Sequence, residues 1–241
     1  MNLIDHYSLI SGAPCRSGDF LVYPPTLGGI RDVGYDNYRG FLSLFLMSQH
    51  DIFGLYGLKA DASVSSLSPI QLITIIPQLR ATLLGSLSFF LRCEVCYSPS
   101  TGFFVGDDER ALSLAQILEI RKVILALCNV EDSAIQESIT FANERARQIY
   151  EKAQAGRARM KNKSNNNDAD LELPNIIAAV SAHSPTYNLL NIWGLTVYQL
   201  YDQFSRLSGK IQLDVIGQKW AAWGTDDFDF SLWYKAPTKS T

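Results

Sequence analysis

The sequence predicts a mainly α-helical protein, with a helical core, a small β-hairpin and a short C-terminal strand. Over several long stretches, apolar residues recur at alternating steps of three and four, which places their side chains on one face of a helix. The strand-like runs are short and are bounded by turn residues. Of the 241 residues, 47% are hydrophobic and 19% are charged, which is the composition of an ordinary globular protein with a substantial core.

The longest regular pattern lies late in the chain, over Ser184–Leu207, and predicts an amphipathic helix. Ser184 followed by Pro185 indicates the helix start, because the serine side chain can cap the first turn and proline is tolerated there. Gly209 indicates the helix end. The apolar stripe of this helix is predicted to comprise Leu190, Trp193, Val197, Leu200, Phe204 and Leu207.

Beyond Gly209 the pattern changes. Ile211, Leu213 and Val215 alternate with polar residues, which is the period of a strand, and they predict the short C-terminal strand. An aromatic tail follows, and its members are Trp220, Trp223, Phe228, Phe230, Trp233 and Tyr234.

Shorter patterns organise the first part of the chain. Phe20–Tyr23 is apolar and is followed by two prolines, so it predicts a short strand. The apolar spacing over Tyr35–Phe53 predicts a helix. The apolar stretch Pro69–Leu91 predicts two helices, because Pro77 interrupts it.

The stretch Pro69–Leu91 is also long enough to cross a bilayer. Arg80 lies in its middle, where a charge is costly, so we favour a pair of core helices over a membrane span. Residues 1–6 contain neither a basic region nor an apolar run and do not resemble a secretory signal. We therefore expect a soluble cytoplasmic protein whose four cysteines are reduced.

The middle of the chain combines a hairpin with a helix. Glu94–Tyr97 and Gly102–Val105 are strand-like and flank a polar turn, so they predict a β-hairpin. Ser113 then begins a predicted helix that ends at Asn129. This helix is apolar over more than half of its circumference, as a central helix would be.

A different kind of helix is predicted from about Asp132 to Met160. Its apolar residues form a narrow seam on an otherwise charged helix, which suits packing against one partner helix. Two interpretations remain open. The seam binds another protein or another copy of the chain, or it packs on the protein's own domain, which its short length favours. The seam residues, our candidate partner-binding site, are Ile135, Ile139, Ala142, Ala146, Ile149 and Ala153.

Residues 157–170 lose this pattern and are rich in Asn, Lys and Asp, as in a polar linker. They predict a division of the chain into three parts. Residues 1–156 form a helical domain with an N-terminal arm and the β-hairpin, and residues 157–170 form the linker. Residues 171–241 form a C-terminal helical segment with the aromatic tail, beginning with a short helix over Leu173–Ala182.

No local motif for catalysis or cofactor binding is visible. Cys93 and Cys96 have the spacing of half a zinc site or of a redox pair, but the remaining ligands are missing and we interpret them as buried thiols. The acidic clusters at 107–109 and 226–229 suit solvated turns better than a cation site. The histidines have no catalytic partner in a recognisable local motif, and they are His6, His50 and His183.

The charge distribution argues against a nucleic-acid partner. The net charge is −3, whereas phosphate binding draws on a clear positive excess. The basic run at 157–163 lies at the end of a predicted helix, where positive charge suits the helix dipole. We therefore expect no cofactor, no metal and no nucleic acid, and a non-catalytic protein. An enzyme with a dispersed site is the least favoured alternative.

The run Asn191–Phe204, preceded by a Lys- and Asn-rich segment, resembles the C-terminal part of proteins encoded in the tail-gene regions of bacteriophages of Gram-positive bacteria. Some of those proteins are regarded as tail assembly chaperones. The resemblance covers roughly residues 160–210 and involves aromatic packing residues.

This resemblance implies a non-catalytic, chaperone-like protein of phage tail assembly in the host cytoplasm. Its partner would be a helical phage tail protein, such as the tape-measure protein, or its own copies in a homo-oligomer. The alternative from a different class is a structural virion or adaptor protein, which would stay in the particle.

Overall fold

The computed structural model describes residues 4–57, 67–106, 110–130 and 172–224 of the chain. Within these ranges the protein has nine α-helices, one 3-10 helix and two small antiparallel sheets, so the predicted mainly α-helical class is confirmed. The chain forms two compact units. One comprises Met1–Gln136 with Thr196–Tyr198, and the other comprises Glu137–Leu195 with Gln199–Thr241.

The first unit begins with a short helix and a small hairpin. Helix α1 (His6–Ser11) is capped by Asp5, whose carboxylate accepts a hydrogen bond from the Ser8 N–H at 2.7 Å. Strands β1 (Cys15–Ser17) and β2 (Phe20–Val22) pair antiparallel. The predicted strand is therefore confirmed. Its partner β1 has only three residues, which is too short for a sequence period to show.

The hairpin is followed by three helices, α2 (Leu27–Val33), α3 (Tyr35–Leu46) and α4 (Gln49–Tyr56). The prediction of one continuous helix over Tyr35–Phe53 is wrong, because Ser48 begins a new helix. Its hydroxyl accepts a hydrogen bond from the Asp51 N–H at 3.2 Å, and the Asp51 carboxylate accepts one from the Ser48 N–H at 2.9 Å. This reciprocal capping box starts α4 as a separate helix.

The apolar stretch forms helices α5 (Pro69–Ile75) and α6 (Pro77–Leu91), which meet at a bend of 106°. The predicted interruption is confirmed, since Pro77 lacks the N–H that would continue α5. Among the described helices, none is by itself long and apolar enough to cross a membrane, although this bent pair reaches that length and composition together. The core residues that α6 contributes are Leu79, Leu83, Leu87, Phe90 and Leu91.

A three-stranded antiparallel sheet follows, with its strands in the order β3 (Val95–Ser98), β4 (Gly102–Val105) and β5 (Arg110–Leu112). The predicted β-hairpin is confirmed as β3 and β4, and β5 extends it. Tyr97 lies opposite Phe103, which lies opposite Leu112. Because residues directly opposite each other share a face, these three side chains form one row across the sheet.

Helix α7 (Leu114–Leu127) confirms the predicted central helix. The Ser113 hydroxyl accepts a hydrogen bond from the Gln116 N–H at 3.3 Å, and the Gln116 side chain accepts one from the Ser113 N–H at 2.9 Å. Asn129, at a φ of 56°, follows the helix end in the left-handed conformation that terminates many helices. The buried residues of α7 are Ile117, Ile120, Val123, Ile124, Leu125 and Leu127.

Residues 172–224 contain two α-helices. Helix α8 (Leu173–His183) confirms the predicted short helix. An irregular stretch with a 3-10 helix at Ile192–Gly194 leads to helix α9 (Val197–Trp223), which has 27 residues. Gly224 follows α9 with a φ of +57°, a left-handed conformation that glycine adopts without steric cost.

The helix predicted over Ser184–Leu207 begins only at Val197, so the first half of that prediction is wrong. The Ser184 hydroxyl accepts a hydrogen bond from the Tyr187 N–H at 3.1 Å, which closes a turn and does not start a helix. Leu190, which the predicted stripe includes, is 91% exposed.

Asparagine side chains explain the difference. The Asn188 N–H donates to the Asn191 side-chain oxygen at 2.8 Å, and the Asn188 side-chain oxygen accepts from the Leu190 N–H at 2.8 Å. The Asn191 amide also donates to the Thr186 carbonyl oxygen at 2.9 Å. Such local bonds give the backbone an alternative to helical hydrogen bonds.

The short C-terminal strand predicted over 211–215 is wrong, because these residues continue α9. Gly209 lies within the helix and does not end it. Ile211 and Val215 are four residues apart and so fit one helix face as well as one strand face. Five alternating residues are too few to distinguish the period of a helix from that of a strand. Extending the existing helix also costs less free energy than starting a new element.

Several predictions fall outside the described residues. They are the seam helix over 132–160, the polar linker over 157–170 and the part of the aromatic tail beyond residue 224.

Candidate functional site

The partner-binding seam that the sequence predicts lies outside the described residues, and it stays a prediction. Its residues are Ile135, Ile139, Ala142, Ala146, Ile149 and Ala153. The acidic clusters at 107–109 and 226–229 also lie outside them. The described residues offer two other surfaces, one on helix α9 and one beside the three-stranded sheet.

Helix α9 passes from buried to exposed along its length. Val197 and Leu200 are 2% and 0% exposed, whereas Ile211 and Val215 are 50% and 61% exposed. These residues lie on one side of the helix, because the distance from each to the next is a sum of steps of three and four residues. The stripe that anchors the beginning of α9 therefore continues into solvent.

A second apolar side begins in the exposed half of α9. Ile216, Trp220 and Trp223 are spaced by four and three residues and are 47%, 46% and 70% exposed. At 3.6 residues per turn, this side is turned by about a third of the circumference from the first stripe. Residues 208–223, which extend over about 24 Å at 1.5 Å per residue, are named the α9 surface here. Contiguous exposed apolar surface of this kind marks interaction sites.

Sequence reasoning misses the α9 surface because it assigns 211–215 to a strand and the following tryptophans to a tail. The available signal is the helical spacing of Ile216, Trp220 and Trp223. That spacing becomes meaningful only when the helix is known to continue past Gly209.

An open groove of about 670 Å³ lies beside the sheet in the first unit. Tyr97, Phe103 and Leu112, the row across β3, β4 and β5, line it together with Ile75 and Arg80 from the two sides of the α5–α6 bend. Ile75 is 59% exposed. Among the described residues that line the groove, Arg80 alone is charged. These five residues define the Arg80 groove.

Two contacts hold the Arg80 side chain in place. Its Nη1 donates a hydrogen bond to the Thr74 carbonyl oxygen at 3.3 Å, and its guanidinium carbon lies 4.3 Å from the centroid of the Tyr97 ring. The Tyr97 ring in turn packs on Phe103, with 5.0 Å between ring centroids. Within the described ranges no carboxylate forms an ion pair with Arg80.

Cys93 and Cys96 are half-buried free thiols, so the expectation that both are buried is wrong. Loss of hydration raises the pKa of Cys93, although the nearby Arg110 acts in the opposite direction. Partial loss of hydration and the Glu94 carboxylate raise the pKa of Cys96. A nucleophilic cysteine needs a lowered pKa, so neither thiol has the environment of an activated nucleophile.

Cys128 is expected to resist thiol reagents in the folded protein. Burial raises the pKa of this thiol to about 12, and the influence of the Tyr38 hydroxyl only partly offsets the effect. Since the thiolate is the reacting form, Ellman's reagent at pH 8 should modify Cys93 and Cys96 at least about a hundredfold faster than Cys128. Timed labelling with peptide mapping checks this, and labelling in urea should expose Cys128. Equal rates in the folded protein would contradict its burial.

The beginning of α9 is tied to the N-terminal part of the first unit. The Val197 N–H donates to the Pro25 carbonyl oxygen at 3.0 Å, and the His6 Nδ1 lies 3.0 Å from the Tyr198 hydroxyl. His6 therefore links α1 to α9 through this hydrogen bond. In the part of the chain that the structure describes, no group of three or more His, Cys, Asp or Glu side chains is placed to hold a metal ion.

Comparison with known proteins concerns the second half of the chain. Residues 161–237, roughly a third of the protein, match the family model described as the YomV second domain, and the match includes all of α8 and α9. The chain matches no curated protein and no solved structure. The matched region is thus similar to a domain of a phage-associated family, that of proteins like YomV of Bacillus phage SPBc2, and this similarity indicates a phage origin.

Proposed function

We propose that the protein serves phage structure or phage assembly by binding other proteins, without catalysis. The observation that carries the proposal is the α9 surface, whose exposed apolar side chains lie within the residues that match the phage-associated family. Covering such surface is favourable by about 25 cal/mol per Å² of apolar area removed from water. In its finer form, the proposal is a chaperone of the host cytoplasm that holds a helical tail protein, such as the tape-measure protein.

The chemistry of the α9 surface suits a helical partner. Side chains spaced by three and four residues form ridges that fit the grooves of another helix. Trp220 and Trp223 supply large aromatic rings, the residue type that most often dominates the binding energy of an interface. The charged residues of the surface are few, namely Lys210, Asp214 and Lys219.

A structural or adaptor protein that stays in the particle is the alternative. The composition of purified particles distinguishes the two roles. A chaperone is expected in the lysate of infected cells and absent from purified particles, whereas a structural protein is present in both at a fixed ratio to other particle proteins. Quantitative mass spectrometry of the two fractions measures this.

Replacing Val215 with aspartate is expected to impair phage production without unfolding the protein. Val215 is 61% exposed, so the charge is tolerated in the free protein, but it would be buried on binding. A charge buried in an apolar interface costs several kcal/mol, so we expect at least about a tenfold loss of plaque titre. Complementation of a phage that lacks this gene measures the titre, and circular dichroism measures melting.

Ala221→Asp is the matched control, because Ala221 is exposed on the same helix but lies on neither apolar side. It should leave both the titre and the melting temperature unchanged. A normal titre with Val215→Asp would contradict the role of the α9 surface. Ala146→Asp tests the predicted seam in the same assays. A folded variant with a low titre supports a binding seam, and early melting supports packing on the protein's own domain.

A further inference from the structure

We propose that the Arg80 groove binds an acidic peptide segment, in which a carboxylate side chain pairs with Arg80 and a neighbouring apolar side chain packs against the sheet. The groove lies in the first unit, outside the residues that match the phage-associated family, and it does not depend on the α9 surface. Two features carry the inference, an apolar row and a fixed cation that has no carboxylate partner among the described residues.

Ile75 and Tyr97 provide the exposed apolar contact area, and the rest of the row supports them. Phe103 and Leu112 are each buried by more than nine-tenths, so they form the packed base of the row, whereas Tyr97 is half-buried. Ile75, at 59% exposure, presents a branched apolar side chain to the groove from the end of α5. An apolar side chain placed between Ile75 and Tyr97 would remove exposed surface of both residues from water.

The cation provides the polar contact. A guanidinium has five N–H donors, and Arg80 uses one of them on the Thr74 carbonyl oxygen. Its contacts with the Tyr97 ring and the Thr74 carbonyl oxygen hold the guanidinium in place, so less side-chain entropy is lost when a carboxylate binds. The first turn of α7 also lines the groove, and the positive end of its helix dipole favours an anion there.

The charge and the size of the groove favour a peptide as its ligand. The groove volume of about 670 Å³ falls in the range of sites that hold several side chains or a drug-sized ligand. Because Arg80 is the one charged side chain among the described lining residues, they complement a carboxylate beside apolar groups. Nucleic acids would call for several cations along a backbone path, which this groove does not offer.

Isothermal titration calorimetry of the full chain with a synthetic peptide tests the proposal. The probe is a blocked hexapeptide that alternates Asp and Phe. We expect saturable binding to this peptide and at least about tenfold weaker binding to two analogues, one with Asn in place of Asp and one with Ser in place of Phe. Equal affinity for the Asn analogue would overturn the proposal, and so would Arg80-dependent binding of an oligonucleotide in place of the peptide.

Variants locate the binding on the protein. Arg80→Gln should weaken binding of the Asp–Phe peptide at least about tenfold. Arg92→Gln is the matched control, because Arg92 also stacks on a tyrosine, at 4.6 Å from the Tyr23 ring, but lies outside the groove. Unchanged binding by Arg80→Gln would overturn the proposal. If Arg80→Gln melts early, Ile75→Glu gives the decisive test, because Ile75 is exposed and the substitution is tolerated by the fold. The added carboxylate should repel the peptide and weaken its binding. Unchanged binding by Ile75→Glu would overturn the proposal.

Discussion

Phe90→Ala is expected to lower the free energy of unfolding by about 3–5 kcal/mol, the usual cost of truncating a buried aromatic side chain. Phe90 is 0% exposed on α6, and its ring meets Phe89 edge to face with 5.0 Å between ring centroids. Its carbonyl oxygen also accepts a hydrogen bond from the Tyr23 N–H at 2.8 Å. Truncation leaves a cavity that the close-packed neighbours cannot fill. Urea denaturation followed by circular dichroism measures the change.

Tyr7→Ala is the control for Phe90→Ala, because Tyr7 is an aromatic residue that is 81% exposed. The Tyr7→Ala substitution should change the protein's free energy of unfolding by no more than about 0.5 kcal/mol. A change below about 1 kcal/mol for Phe90→Ala would show that α6 does not form the core described above.

Leu200→Ala is expected to lower the free energy of unfolding by about 2–5 kcal/mol, whereas Ile211→Ala should lower it by less than about 1 kcal/mol. Both residues belong to the same apolar stripe of α9, yet Leu200 is 0% exposed and Ile211 is 50% exposed. Alanine also suits a helix interior better than isoleucine does, which further reduces the cost at the exposed position. The pair therefore tests whether α9 is anchored at its beginning and free to bind along its end.

Thermal melting of both variants by circular dichroism gives the comparison. Equal destabilisation by the two substitutions would mean that the exposed half of α9 is packed within the protein. The α9 surface would then lose its role in the proposed function, while the Arg80 groove would be unaffected.

Several caps and interruptions of the first unit follow from local chemistry, which is why sequence patterns predict them, although the equally local capping box at Ser48 is missed. Ser113 with Gln116 forms a capping box, Pro77 separates two helices, and the polar turn between Glu94–Tyr97 and Gly102–Val105 closes a hairpin. Each of these features depends on residues within a few positions of one another. The Arg80 groove could not be predicted in this way, since it joins Arg80 to Tyr97 and Leu112 across three elements.

The sequence by itself determined the mainly α-helical class, the positions of α7 and α8, and the helical spacing of Val197, Leu200, Phe204 and Leu207, because helical period and capping are local properties. Only the tertiary structure decided where α9 begins, how far it continues and which part of its stripe is buried. Val197 and Val215 are the same residue type on the same helix face, yet one is 2% exposed and the other is 61% exposed. Burial depends on what other segments bring to that face, and a periodic pattern does not contain that information.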